Sequence, residues 1–253
     1  MSTRQLRAVG RLLRCGLHIG RGVVLCALVF PFIDAAQRMV HVGRWNRRLL
    51  QLLGITVHTS GVPNEGATLF VANHVSWLDI PAIISVRPMR FVSKSDVRRW
   101  PVIGWLVACG GTLFIERRSR RDALRVVHQL AQALRDGDRI AMFPEGTTSD
   151  GRGLLPFHAN LLQAAIAAEV PVQPITLRFS DASERISSAA AYIGEMTLMQ
   201  SLWAVVSATD LTAHVVVLPA LPSEGTARRE LAERLRAEIA AQLGCSGADA
   251  EPT

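Results

Sequence analysis

The chain has 253 residues, 28 Lys+Arg against 21 Asp+Glu, and a formal net charge of +7. With 49% hydrophobic and 19% charged residues it can bury a sizeable core, which excludes general disorder. Its length fits one large α/β domain with an appendage, or at most two small domains. The charge is uneven: residues 1–50 carry +8, 51–86 carry −2, 87–125 carry +7 and 126–253 carry −6. A basic front and an acidic back result, so an anionic partner is expected at the front.

Within the first segment, Arg4, Arg7, Arg11, Arg14 and Arg21 recur at helical spacing. Leu6, Val9, Leu13 and Leu17 occupy another face by the same period. Such a helix suits the surface of an anionic membrane, or a site on its own domain with the arginines in water. The longest uninterrupted apolar run, Gly22 to Ile33, has twelve residues. It falls short of the roughly 20 that a spanning helix needs and predicts a re-entrant or interfacial segment. Arg44, Arg47 and Arg48 close this basic unit, residues 1–50. The four cysteines, Cys15, Cys26, Cys109 and Cys245, include no CxxC pair and suggest a reducing, cytosol-facing domain.

From about residue 54 short β-branched runs alternate with helical ones. Strands are expected at Ile55–Thr59, Thr68–Ala72, Met89–Val92, Thr112–Ile115, Arg139–Phe143, Val172–Phe179 and Ala213–Leu218. Helices are expected at Ala123–Leu134, with Ser119 and Asp122 as a capping pair, and at Asn160–Ala168 and Ala227–Leu243. The expected fold class is α/β, a mixed and largely parallel central sheet flanked by helices over residues 51–245. Residues 246–253 read as a disordered tail.

No phosphate loop, dinucleotide fingerprint, nucleophile elbow or paired metal-binding histidines occur. A dedicated metal or cofactor is therefore not expected. The basic N-terminus lacks interleaved exposed aromatics, and no reader motif is present, which argues against nucleic acid. Three polar clusters remain, each after a predicted strand: Asn73-His74-Val75-Ser76-Trp77-Leu78-Asp79, Gly111-Thr112-Leu113-Phe114-Ile115-Glu116-Arg117, and Phe143-Pro144-Glu145-Gly146-Thr147. Ends of strands are where open α/β sheets place their sites. A turn that brought Asp79 onto His74 would make a general base with its orienting group. An Arg at a strand end suits phosphate or carboxylate. Taken singly, each cluster has an ordinary structural reading: a local hydrogen bond, a surface ion pair, a turn.

Together, in this order and spacing, and with Val170-Pro171-Val172-Gln173-Pro174-Ile175 as a fourth block, they resemble the glycerolipid acyltransferases. The likeness is greatest to the bacterial 1-acylglycerol-3-phosphate acyltransferases, over about residues 55–220. The resemblance implies that His74 deprotonates the acceptor hydroxyl and that Asp79 orients the imidazole. The donor would be acyl-CoA or acyl carrier protein, and no acyl-enzyme is needed. It further implies that Arg117, Glu145, Gly146 and Thr147 hold the acceptor's polar head, with Asn73, Lys94 and Gly111 also at the substrate. Trp77, Trp100 and Trp105 read either as the lining of an acyl tunnel or membrane interface, or as ordinary core aromatics. One departure concerns the acceptor: Thr148-Ser149 stands where phosphatidate-forming relatives carry Arg-Ser. The expected acceptor is 1-acyl-sn-glycerol-3-phosphate, with a lyso-ornithine lipid as the alternative. A catalytically silent lipid-binding protein of the same fold is the reading from another class. The expected location is the inner membrane, peripheral or monotopic, with the catalytic domain facing the cytosol.

Overall fold

The computed structural model describes residues 2–115 and 120–245. Two long helices, α1 (Thr3–Leu28) and α2 (Ala35–Leu53), come first. Each starts at a capping box: the Ser2 hydroxyl accepts from the Gln5 N–H, and the Asp34 carboxylate accepts from the Gln37 N–H. Then follow β1 (Thr56–Ser60), β2 (Thr68–Ala72), α3 (Asp79–Val86), β3 (Arg90–Lys94), α4 (Ile103–Cys109) and β4 (Leu113–Ile115). The remainder is α5 (Arg120–Arg135), β5 (Arg139–Met142), α6 (Gln163–Ala168), β6 (Val172–Ser180), α7 (Leu198–Ser207), β7 (Thr212–Val217) and α8 (Arg228–Leu243). All seven expected strands are present within about two residues of their predicted ends. The Ser119 half of the expected capping pair and the tail from Ser246 lie outside the described residues.

The strands form one sheet in the order β1-β7-β6-β2-β5-β3-β4. From β6 through β2, β5 and β3 to β4 every pairing is parallel, and β7 joins β6 antiparallel. The C-terminal ends of β2, β5, β3 and β4 therefore share one edge of the sheet, which is what assembles the site. Strand β2 is buried along its whole length, as a central parallel strand covered on both faces must be. Phe70 and Ala72 point into a core with α1, α2, α3 and α7; Leu69 and Val71 point into a second core with α5, α6 and α8. Ala8, Cys15, Val42, Leu50 and Leu53 belong to the first core, so residues 1–50 pack as part of the domain that follows.

The two faces of α1 separate as their spacing predicts, but the arginine face has a different partner. Arg4 donates to the Ser207 carbonyl (2.9 Å), Arg11 to the carbonyls of Val206 (2.9 Å) and Ala208 (3.1 Å), and Arg7 to the Thr209 hydroxyl (3.1 Å). These are the open carbonyls at the C-terminus of α7, where the helix dipole favours cations. Of the two sites open to this helix, its own domain holds these three arginines. The leucine face is the one left uncovered: Leu13 is 66% and Leu17 78% exposed. Between Arg14 and Asp34 only Arg21 is charged. The helical stretch Thr3–Phe32 is thus long and apolar enough to cross a membrane by length and composition. A count of uninterrupted apolar residues missed this because Arg21 splits the stretch.

Candidate active site

Strand β2 ends at Ala72, and the chain turns into α3 within seven residues. Asp79 opens α3 and Pro81 sits in its first turn, where a missing N–H costs nothing. The turn brings Asp79 Oδ2 to 2.7 Å from His74 Nδ1. The same oxygen accepts the backbone N–H groups of Val75 (2.7 Å) and Ser76 (2.9 Å). Asp79 is fully buried, whereas the His74 side chain keeps 19% exposure. Three donors on Oδ2 at a helix N-terminus fix the carboxylate in place. With Nδ1–H committed to Asp79, Nε2 of a neutral imidazole carries the free lone pair. Asp79 Oδ1 and Ser76 Oγ are buried without a hydrogen-bond partner among the described residues.

The loop after β5 braces this turn. The Phe143 ring stacks on the His74 ring, with centroids 3.9 Å apart and planes 4° apart. Glu145 is buried; its Oε1 accepts the His74 N–H (2.7 Å) and its Oε2 the Leu155 N–H (2.9 Å). Burial pushes the Glu145 carboxyl up to about 7, against the opposing pull of those two N–H groups. Gly146, at φ +73°, makes the sharp turn that follows, and its N–H reaches the Phe143 carbonyl (3.2 Å). The Ser149 N–H then returns to the His74 carbonyl (2.8 Å).

The expected site residues separate into groups. His74, Asp79, Glu145 and Gly146 come together around one turn, and Thr147 stands exposed beside Gly146. Asn73 is buried with its amide engaged at both ends by Leu177, donating to the carbonyl (2.8 Å) and accepting from the N–H (2.7 Å). It fastens the end of β2 to β6. Lys94 closes β3 at the same sheet edge, exposed, in register with Ile115 of β4. Arg117, two residues beyond β4, lies outside the described residues. Gly111 is not brought to the site. It precedes β4, at the opposite edge, where its carbonyl accepts from Arg90 Nε (2.7 Å). Because β4 runs parallel to β3, its N-terminal end, where Gly111 lies, is at the edge away from His74.

Sequence reasoning assigned no part to three groups found here: the Phe143 ring under His74, the Val75 and Ser76 N–H groups on Asp79, and a distant segment around Tyr192. The Tyr192 N–H donates to the Val75 carbonyl (3.0 Å), and its own carbonyl accepts from Thr148 Oγ1. Nothing in the local sequence links residues 44 positions apart. Of the tryptophans, Trp77 is half-buried and donates to Ser201 Oγ (3.0 Å), while Trp100 and Trp105 are exposed. Among the described residues no group of three or more His, Cys, Asp or Glu is placed to hold a metal ion.

Known proteins resemble this chain in sequence and fold. Residues 54–178 match the model of the Acyltransferase family. A lyso-ornithine lipid O-acyltransferase of Pseudomonas aeruginosa is 38% identical over 83% of this chain and 79% of its own. A 1-acyl-sn-glycerol-3-phosphate acyltransferase of Neisseria meningitidis is 36% identical over 75% of this chain and 74% of its own. The crystal structure of the 1-acyl-sn-glycerophosphate acyltransferase of Thermotoga maritima superposes with a TM-score of 0.71 at 20% identity, covering 95% of both chains, a likeness of fold. With a histidine held on a buried aspartate at a strand end, a matching family model and relatives aligned over most of their length, this chain belongs to the acyltransferase family.

Proposed function

We propose that the chain transfers a fatty acyl group from a thioester, acyl-CoA or acyl carrier protein, to the free hydroxyl of a lysolipid. The observation that carries this is the His74–Asp79 pair at 2.7 Å, on a buried acid whose only ion-pair partner among the described residues is that imidazole. His74 Nε2 takes the proton of the acceptor hydroxyl as its oxygen bonds to the thioester carbon. Asp79 offsets the charge that appears on the imidazolium. The tetrahedral adduct then breaks its carbon–sulfur bond, and the leaving thiolate takes the proton back. Ester and thiol are the products, and no covalent enzyme intermediate arises.

Lyso-ornithine lipid is the acceptor that the loop geometry favours. The Thr148 hydroxyl is engaged with the Tyr192 carbonyl, and Arg152, the cation nearest in sequence, lies 3.8 Å from Asp150. A phosphate at that loop would meet an Arg152 already beside Asp150, whereas a zwitterionic head group brings its own ammonium. The name of the Pseudomonas aeruginosa relative supports the reading. The second reading is 1-acyl-sn-glycerol-3-phosphate, favoured by the exposed Lys94 at the same sheet edge. The uncovered leucine face of α1 supports a monotopic seat on the inner membrane, with the catalytic domain in the cytosol.

The test is a labelled acyl-thioester assay against a lysolipid panel, with His74→Ala alongside. Transfer to lyso-ornithine lipid is expected, with kcat/KM about tenfold above lysophosphatidate, and none above background in the variant. The reverse preference selects the second reading. Full turnover by a folded His74→Ala protein overturns the mechanism, and transfer to no lysolipid overturns the function.

A further inference from the structure

A cleft of about 560 Å³ lies between the N-terminal half of α1 and the C-terminal end of α2, away from the His74 turn. Arg7, Arg11 and Arg14 line it from α1, and Arg48 and Gln51 from α2. No carboxylate lines it. Among the described residues none of the four arginines makes an ion pair. Arg7 and Arg11 spend one arm each on the Thr209 hydroxyl and the α7 carbonyls, and Arg48 donates to Gln51 Oε1 (3.1 Å). Arg14 has no hydrogen-bond partner among the described residues. Four guanidinium groups thus converge on one concavity with most of their donors unspent. Burial, and next the neighbouring Arg7, hold Arg11 below its usual pKa, a pull that Asp210 only partly offsets. Close approach is built into the backbone: a Cβ on Gly54, at φ +82°, would lie 2.1 Å from the Arg11 guanidinium.

Such a cleft is complete only with an anion, and planar guanidinium forks select phosphate oxygens. Its position says which phosphate. Leu6 forms its rim, is 58% exposed, and begins the uncovered stripe Leu6, Leu13, Leu17, Val24 and Leu28. At about 100° per residue, Gly10 and Arg14 fall between that stripe and the arginines that grip α7. A lipid seated with its phosphate in the cleft would run its chains along the leucines. We infer that the α1–α2 cleft is a binding site for the phosphate head group of an anionic membrane phospholipid, separate from the acyl-transfer site, and that it sets the depth and orientation of the enzyme on the bilayer.

The test uses the full chain, the variant Arg14→Gln/Arg48→Gln, and a charge-matched control, Arg21→Gln/Arg44→Gln, from the same basic segment but outside the cleft. All three are measured by co-sedimentation with phosphatidylcholine vesicles with and without phosphatidylglycerol. The cleft variant is expected to lose about tenfold more affinity for phosphatidylglycerol vesicles than the control, with binding to pure phosphatidylcholine unchanged. Short-chain phosphatidylglycerol below its micelle concentration should raise the melting temperature of the parent and not of the cleft variant, whereas inorganic phosphate should raise neither. Acyl transfer in detergent should be the same in all three, which separates this site from the proposed activity. Equal losses in the two variants would reduce the cleft to ordinary surface charge. Equal stabilisation by inorganic phosphate would make it a soluble-anion site. Either result overturns the proposal. Arg14→Lys/Arg48→Lys guards against a folding defect: it should melt like the parent and recover only part of the binding.

Discussion

The carboxylate of Glu145 holds the main chain of His74: Oε1 accepts the His74 N–H at 2.7 Å while Oε2 holds Leu155. One buried side chain thus ties the loop after β5 to the turn that carries His74. Replacing it by Ala leaves two N–H groups without an acceptor, each costing about 1–3 kcal/mol when buried. Glu145→Ala should lower the melting temperature and reduce kcat far more than KM. Thermal melting and steady-state kinetics check this together, and an unchanged kcat in a folded variant would contradict a bracing role.

Glu145 also makes stability depend on pH. Its carboxyl is raised from 4.5 to about 7 by burial, so between those values the folded chain binds more protons than the unfolded one. Stability from this group is complete below about 4.5, falls as pH rises, and is gone above about 7. Melting curves from pH 4.5 to 8 should show the parent losing stability relative to Glu145→Gln across that window and holding a constant difference above it. A difference that is flat throughout would mean that Glu145 does not titrate there.

Asp79→Asn separates geometry from charge. An amide oxygen can still accept from His74 and the Val75 and Ser76 N–H groups, but it cannot offset an imidazolium. Turnover is expected to fall by about 10²–10⁴-fold, with KM little changed and the fold retained. Loss below tenfold would make Asp79 a structural hydrogen-bond acceptor only.

Arg11 is predicted to matter for stability more than for catalysis. Arg11→Ala strips two hydrogen bonds from the C-terminal carbonyls of α7 and should cost about 1–3 kcal/mol in chemical denaturation. Acyl transfer in detergent should persist at temperatures below the new transition. A variant as stable as the parent would show that α1 is held by its apolar contacts alone.

Local pattern carried most of the sheet and the core of the site. Alternating β-branched runs marked all seven strands, because a strand's own side chains encode its burial. His74 and Glu145, each just past a predicted strand, were expected at one place because a parallel sheet collects such ends, and the structure brings them together. Tertiary structure decided the rest. Gly111 stands in the same motif as the other expected site residues, yet the direction of β4 leaves it at the opposite edge from His74. Asn73 and Glu145 look in sequence like substrate ligands, and in the fold their polar atoms are engaged by the backbone of Leu177, His74 and Leu155. The arginines of α1 read as a face for lipid, and three of them close the end of a helix some 200 residues away. Periodicity shows which residues share a face; what that face touches depends on long-range packing, which local sequence does not encode.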